Sequence, residues 1–389
     1  MTDFEHTDTA VHPFTATAWD EELTDLRARL AATRWATPLP SDDWSRGVPQ
    51  DYLRELVSAW IDFDWRAYLD RMNRLPQFTT VIEGQQIHFL HIRSEQPGAV
   101  PLLLTHGWPG SFLEFVDLIG PLTSPEKHGG DASDAFHVVI PSIPGFGFST
   151  PLTTDGWTTN AIARAWVELM DRLGYDRFVN QGGDLGAGIA PEIGRVAPDR
   201  VLGVHVNGAL GDFVAEVDDE TAAQLTDLER DRLERTATFM QQEFGYISLQ
   251  STRPGLLGTM LADSPVGQLS WIVDKLHAWT HPADRLPHEV LGMDWLLANV
   301  SLYWFTRSAG SAALVGYASE EGWGEELTSS GVPTAAIQFA HDIGIRRFAE
   351  QSNNIVSWTD VTDRGGHFAA LEEPHLLIDD LRSFVRTLR

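Results

Sequence analysis

From residue 101 onward the chain repeats one pattern: a short apolar run, a turn marked by glycine or proline, then a stretch of helical periodicity. The runs are PLLLTHG (101–107), FHVVIPS (136–142), RFVNQGG (177–183) and VLGVHVN (201–207). After a gap of more than 120 residues, VPTAAIQF (332–339) and NIVSWTDV (354–361) continue the series. Strands this apolar are buried on both faces, which calls for a mainly parallel sheet with helices covering each side. Two earlier runs, FTTVI (78–82) and QIHFLHI (86–92), flank Glu83-Gly84 and predict a hairpin. The expectation is an α/β fold built on an eight-stranded, mostly parallel sheet.

The rest of the chain is helical in pattern. Leu23, Leu26 and Leu30 share one face of residues 19–35, and two further stripes fall within 51–75. These stripes read as core packing, so residues 1–95 form a helical and meander-like extension. Residues 96–211 and 326–389 form the α/β core. The intervening 212–325 is helical and rich in aromatics, among them Tyr246, Trp279, Tyr303, Trp304 and Tyr317. Inserted late in the sheet, it is placed to act as a lid over the C-terminal ends of the strands, where open α/β sheets bind ligands.

The stretch NQGGDLGAGIA (180–190) carries the chemistry. A strand precedes Gly182-Gly183-Asp184-Leu185-Gly186, and a helix with Leu185, Ile189, Ile193 and Val196 on one face follows. Gly-x-nucleophile-x-Gly in that setting is the nucleophile elbow of the α/β-hydrolases, with Asp184 where a serine commonly stands. Gly182 and Gly186 leave room for the close approach of strand and helix. His106-Gly107-Trp108-Pro109 follows the strand PLLLT, where that fold supplies an oxyanion-hole amide. Asp342 lies just beyond TAAIQF, and His367 just beyond NIVSWTDV, giving the order nucleophile, acid, histidine. Asp212, after VLGVHVN, is the rival for the acid position.

A carboxylate nucleophile suits an sp³ electrophile. Attack on an epoxide or alkyl halide gives an alkyl ester of Asp184, which water deprotonated by His367 can cleave. The amides of Trp108 and Leu185 would stabilise the oxyanion, each such donor being worth about 3–4 kcal/mol. An epoxide leaves as an alkoxide and needs proton donors, which the tyrosines of the insertion supply. A halide needs N–H donors, and Leu185 occupies the position where a halide-binding tryptophan often sits. A dehalogenase, or a silent α/β-hydrolase that only binds a ligand, is the alternative.

Composition narrows the partners. A net charge of -27 disfavours nucleic acid and anionic membranes, and the absence of Cys removes disulfide and thiolate chemistry. No run of 18 apolar residues is present, and MTDFEHTDTAVHPF lacks the features of a signal peptide, so a cytoplasmic enzyme is expected. No metal or other cofactor is expected: the adjacent pairs His341-Asp342 and His288-Glu289 cannot both face one ion. The partners are then a small-molecule epoxide and water, and a homo-oligomer is compatible with the sequence.

With these residues in place, the chain resembles the epoxide hydrolases of the α/β-hydrolase superfamily, most of all the microsomal type and its bacterial relatives. The resemblance spans nearly the whole chain through FTATAWDEELTDLRARLAATRW, HGWPGSFLEF, IPGFGFST, GGDLGAGIA, LADSPVGQLSWIVDK and DRGGHFAALEEP. It implies Asp184 as nucleophile, His367 as water-activating base, Asp342 as the acid, and Tyr246 and Tyr317 as ring-opening donors. It implies a packing role for Tyr303. Relatives serve both detoxification and secondary metabolism, enediyne assembly included. Two positions depart from the pattern: Leu185 follows the nucleophile, and Ala340 stands where relatives frequently have proline.

Overall fold

The computed structural model describes residues 9–210, 214, 216–317 and 328–389. All eight expected strands are present: β2 (Gln77–Ile82), β3 (Gln85–Ile92), β4 (Val100–Thr105), β5 (Phe136–Pro141), β6 (Phe178–Gly182), β7 (Val201–Asn207), β8 (Pro333–Gln338) and β9 (Asn354–Asp360). A ninth, the two-residue β1 (His12–Pro13), pairs with Thr79 and Phe78 at the sheet edge. The sheet runs β1-β2-β3-β5-β4-β6-β7-β8-β9. Pairing is antiparallel from β1 to β5 and parallel from β5 to β9. Glu83 and Gly84 both have positive φ, 49° and 78°, as the two-residue turn joining twisted antiparallel strands requires.

The central strands explain the parallel core. Leu102, Leu103, Leu104, Val138, Val139, Phe178 and Val179 are at most 1% exposed, so apolar side chains fill both faces of β4, β5 and β6. Helices Thr159–Arg172 and Leu185–Val196 pack together on the sheet, and Pro374–Thr387 packs against β7 and β8. Chain order leaves β4 toward β5 on one side and resumes at β6 on the other. The loops after β4 and β6 therefore diverge, opening a crevice at their C-terminal ends.

Among the described residues, eight helices of the insertion lie between β7 and β8, from Asp219–Gln224 to Ala309–Tyr317. Its helix Asp227–Gln242 begins with a reciprocal cap: Thr226 accepts from the Glu229 amide, and Glu229 accepts from the Thr226 amide at 2.8 Å. The N-terminal helices Gln50–Asp62 and Trp65–Met72 grip this insertion. Trp60 Nε1 donates to Ser301 Oγ at 2.8 Å, Tyr52 pairs with His288 at 2.8 Å, and Trp65 stacks on Phe305. The stripes read from the sequence are thus buried largely against the insertion. No described helix is long and apolar enough to cross a membrane.

Candidate active site

Four loops at the C-terminal ends of β4, β6, β8 and β9 converge. The sharpest follows β6, where Asp184 has φ 54° and ψ -121° immediately before the helix Leu185–Val196. A non-glycine residue holds that conformation only when its surroundings enforce it. They do so through backbone proximity: a Cβ on Gly186 would lie 2.1 Å from the Thr105 carbonyl oxygen, and one on Gly182 2.3 Å from that of Gly186. The result lifts the Asp184 carboxylate off the end of the sheet.

That carboxylate is gripped from two sides. The Trp108 amide donates to Asp184 Oδ1 at 2.8 Å, and His367 Nε2 lies 3.2 Å from Oδ2. Gly107 permits the first contact, since a Cβ there would fall 2.1 Å from Oδ1. Leu185 opens its helix, so its N–H has no acceptor within the helix. Its side chain packs beneath Gly316, next to Tyr317.

The loop carrying Trp108 is fixed by buried polar groups. His106 accepts from the Ile143 amide at 3.2 Å through Nε2, and its Nδ1 meets the Gly107 carbonyl at 3.1 Å. Burial pushes this imidazole down to about 4, so it serves as a neutral brace. Asn299 donates to the Pro109 carbonyl at 2.7 Å and accepts from Ser111 at 2.8 Å, while the Tyr303 hydroxyl donates to the Gly110 carbonyl at 2.9 Å. Tyr303 therefore packs, as expected, and also ties the insertion to this loop.

His367 sits in a net of opposing effects. Burial lowers its proton affinity, but the hydrogen bond and charge of Asp184, with the charges of Asp342 and Glu114, raise it above the ordinary imidazole value. Asp342 is 5% exposed and lies in the loop after β8. Backbone bonds from Ala340 to Arg364 and from His341 to Gly365 hold that loop against the one carrying His367. Burial raises Asp342 to about 6, against the opposing pull of the Phe339 amide, His367, Arg232 and Arg235. Its Oδ2 accepts from the Phe339 amide at 2.7 Å, so its influence on His367 is through charge; among the described residues no hydrogen bond joins the two. The rival Asp212 lies outside the described residues.

The tyrosines close the top. Tyr246 and Tyr317 meet at 5.7 Å between ring centroids and 79° between planes. Trp108 stacks on Tyr246 at 5.2 Å and presents its edge to Tyr317 at 5.9 Å. Burial first, and the negative charge of Asp184 second, raise Tyr246 well above a free phenol. For Tyr317 burial is again the main cause, followed by Tyr246 and then Asp184. Both phenols thus keep their protons at neutral pH and are donors.

Two participants were not singled out in the sequence. Trp279 appeared only among the insertion's aromatics, yet its carbonyl accepts the His367 amide at 2.9 Å and its ring lies 5.0 Å from the imidazole. Glu114, inside HGWPGSFLEF, lines a small cavity with Asp184, His367, Asn207 and Trp108. The cavity measures about 10 Å³, room for roughly one water. Burial pushes Glu114 up to about 8, with His367 opposing and Asp184 adding to the shift. The available signal was an acidic residue set between Leu113 and Phe115 in the mainly apolar turn FLEFVDL, whose other acid, Asp117, is exposed.

Comparison with known proteins bears on the family of the chain. Residues 11–115 match the family described as epoxide hydrolase N terminus, and residues 100–374 match the alpha/beta hydrolase fold. A chain of Stigmatella aurantiaca is 42% identical over 382 residues, covering 97% of this chain and 86% of its own length. Epoxide hydrolase 1 of Sus scrofa is 34% identical over 411 residues, covering 98% and 90% respectively. The structure of the Aspergillus niger epoxide hydrolase superposes with a TM-score of 0.86 at 32% identity, covering 100% of this chain and 99% of that one. An Asp-centred elbow under paired tyrosines, on a chain matched nearly end to end, leads to one assignment: this protein belongs to the epoxide hydrolase family and has the α/β-hydrolase fold.

Proposed function

We propose that the protein opens its epoxide in two covalent steps, through an alkyl ester of Asp184. In the first step Asp184 Oδ2 attacks an epoxide carbon while Oδ1 remains on the Trp108 amide. The C–O bond of the ring breaks, and the departing alkoxide takes a proton from Tyr246 or Tyr317. In the second step water attacks the ester carbonyl carbon, and His367 accepts its proton. The resulting oxyanion is stabilised by the Trp108 and Leu185 amides. It collapses, the diol leaves with the oxygen that Asp184 contributed and takes the proton held on His367, and the proton left on the Asp184 carboxyl returns to the tyrosinate.

One observation carries this reading: a single carboxylate has one oxygen on a backbone donor and the other 3.2 Å from an imidazole. A carboxylate placed only to orient the histidine would need no second donor on its far oxygen. Asp342 supports the imidazolium through its charge. The cavity beside Glu114 has the size and polar lining for the attacking water. Asp184 needs no deprotonating base for the first step, so His367 is required only for the second.

The walls favour a flat apolar substituent on the epoxide. Trp108, Trp279, Tyr246 and Tyr317 present ring faces and edges to one another within 6.0 Å, and aromatic groups prefer such stacked or edge-on neighbours. The substrate is accordingly a bulky, aryl-bearing epoxide. His367→Gln tests the covalent route. This variant accumulates an adduct of substrate mass on the peptide containing Asp184; a variant that turns over without an adduct would exclude the ester.

A further inference from the structure

Glu372 lies outside the reacting groups and is hydrogen-bonded on both carboxylate oxygens. Oε1 accepts from the Phe368 amide at 2.9 Å, one residue beyond His367. Oε2 accepts from the His281 amide at 2.9 Å, two residues beyond the insertion helix Pro265–Trp279. Between these two bonds the His367 amide donates to the Trp279 carbonyl at 2.9 Å. The three bonds stitch the end of that helix to the loop of the imidazole. Gly366 makes room for the stitch, because a Cβ there would lie 2.6 Å from the Trp279 carbonyl oxygen and 2.7 Å from Glu372 Oε2.

The plain alternative is a helix cap. Glu372 closes the short helix Ala369–Glu372, and a side chain reaching back to the first amide is a common way to finish a helix start. Such a cap needs one oxygen only. The second oxygen spends its bond on a separate segment 91 residues away, which a cap does not explain. It is also set beside Trp279, whose ring contacts both His367 and Tyr246.

We propose that Glu372 is a positioning residue for ester hydrolysis, holding His367 in register with the insertion by bridging the Phe368 and His281 amides. The assignment rests on the two-step reading above. Ring opening uses Asp184, Trp108 and the tyrosines, none of which Glu372 touches. Hydrolysis alone requires the imidazole to meet water at the ester, so a displaced His367 slows the second step and spares the first.

Glu372→Gln is nearly isosteric but has one acceptor oxygen and one NH₂ donor, so one of the two amides faces a donor and loses its bond. Rapid-quench kinetics with mass detection of the Asp184 peptide separate formation of the ester from its decay. In Glu372→Gln, ester formation stays within about threefold of wild type, while decay slows by about tenfold or more, the scale of one lost hydrogen bond. Glu372→Asp keeps two acceptor oxygens and recovers part of the decay rate. Decay at the wild-type rate in Glu372→Gln would overturn the assignment. So would equal slowing of both steps together with a lowered Tm, which marks general loosening. In the same assay, His367→Gln that turns over without forming any ester would refute the covalent reading itself and not the bridging geometry.

Discussion

The Trp108 amide bonds to Asp184 Oδ1 at 2.8 Å although the two residues stand 76 positions apart. They meet because β4 and β6 are parallel neighbours, so the loops leaving their C-terminal ends start side by side. The contact places a fixed donor on one carboxylate oxygen, and His367 reaches the other from the loop after β9.

Removing the carboxylate abolishes the reaction. Asp184→Ala gives no diol from any epoxide the wild type accepts, while the fold survives, since the loops of its two partners, Trp108 and His367, are also held by Asn299, Tyr303 and the Trp279 carbonyl. Chiral chromatography of products, with circular dichroism as the control for folding, checks this.

In the proposed two-step route the tyrosines serve the first step. Tyr246→Phe or Tyr317→Phe lowers the rate of ester formation by about 100-fold, the scale expected for losing one donor to a developing anion. The double variant still binds epoxide, because both rings remain in the stacked wall around Trp108. Stopped-flow quenching of tryptophan fluorescence reports binding and ester formation separately.

The pH dependence follows from His367. It must be neutral to take a proton from water, and its proton affinity stands above the ordinary imidazole value. That holds for the free enzyme; in the alkyl ester Asp184 has lost its charge, so the imidazole titrates lower and ester hydrolysis persists to lower pH than the free-enzyme titration of His367. The hydrogen bond and charge of Asp184 head the effects that raise His367. Asp184→Asn removes that charge and leaves only Asp342 and Glu114 to oppose burial, so the imidazole titrates lower than in wild type. NMR titration of His367 in wild type and variant measures the change; an unchanged or higher midpoint would contradict it.

Asp342 acts through charge, so Asp342→Asn slows ester hydrolysis without blocking ester formation. Asp342→Ala loses most activity and Asp212→Ala keeps it; the reverse result in steady-state assays would move the acid role to Asp212.

Tight backbone packing at the elbow predicts a stability effect. Gly186→Ala drives a Cβ to 2.1 Å from the Thr105 carbonyl oxygen. Either the helix or the strand must shift, at a cost of about 3 kcal/mol, read as a lower midpoint of urea unfolding. Gly98→Ala, with no atom within 4 Å of the added methyl, changes it little.

The strands were legible because burial on both faces leaves an unbroken apolar signature, as in PLLLT and FHVVI. The two-residue β1 was not: His12 and Pro13 join the sheet through backbone pairing, which leaves no periodicity. Asp184, Trp108 and His367 could be read because each follows a strand in a glycine-marked turn. Contacts made by the insertion were hidden for a different reason. Asn299 and Tyr303 meet the Trp108 loop about 190 residues away in sequence, and no local pattern encodes such a meeting. Glu372 belongs to the same class, since its second partner is set by where the helix Pro265–Trp279 ends.

The covalent bond to Asp184 is tested most directly by one turnover in water enriched in ¹⁸O with enzyme in excess over epoxide. The ester route predicts that the isotope enters the Asp184 side chain and that the first diol carries an unlabelled oxygen from the protein. Label in that diol with none on Asp184 would mean that water attacks the epoxide directly, contradicting the covalent route.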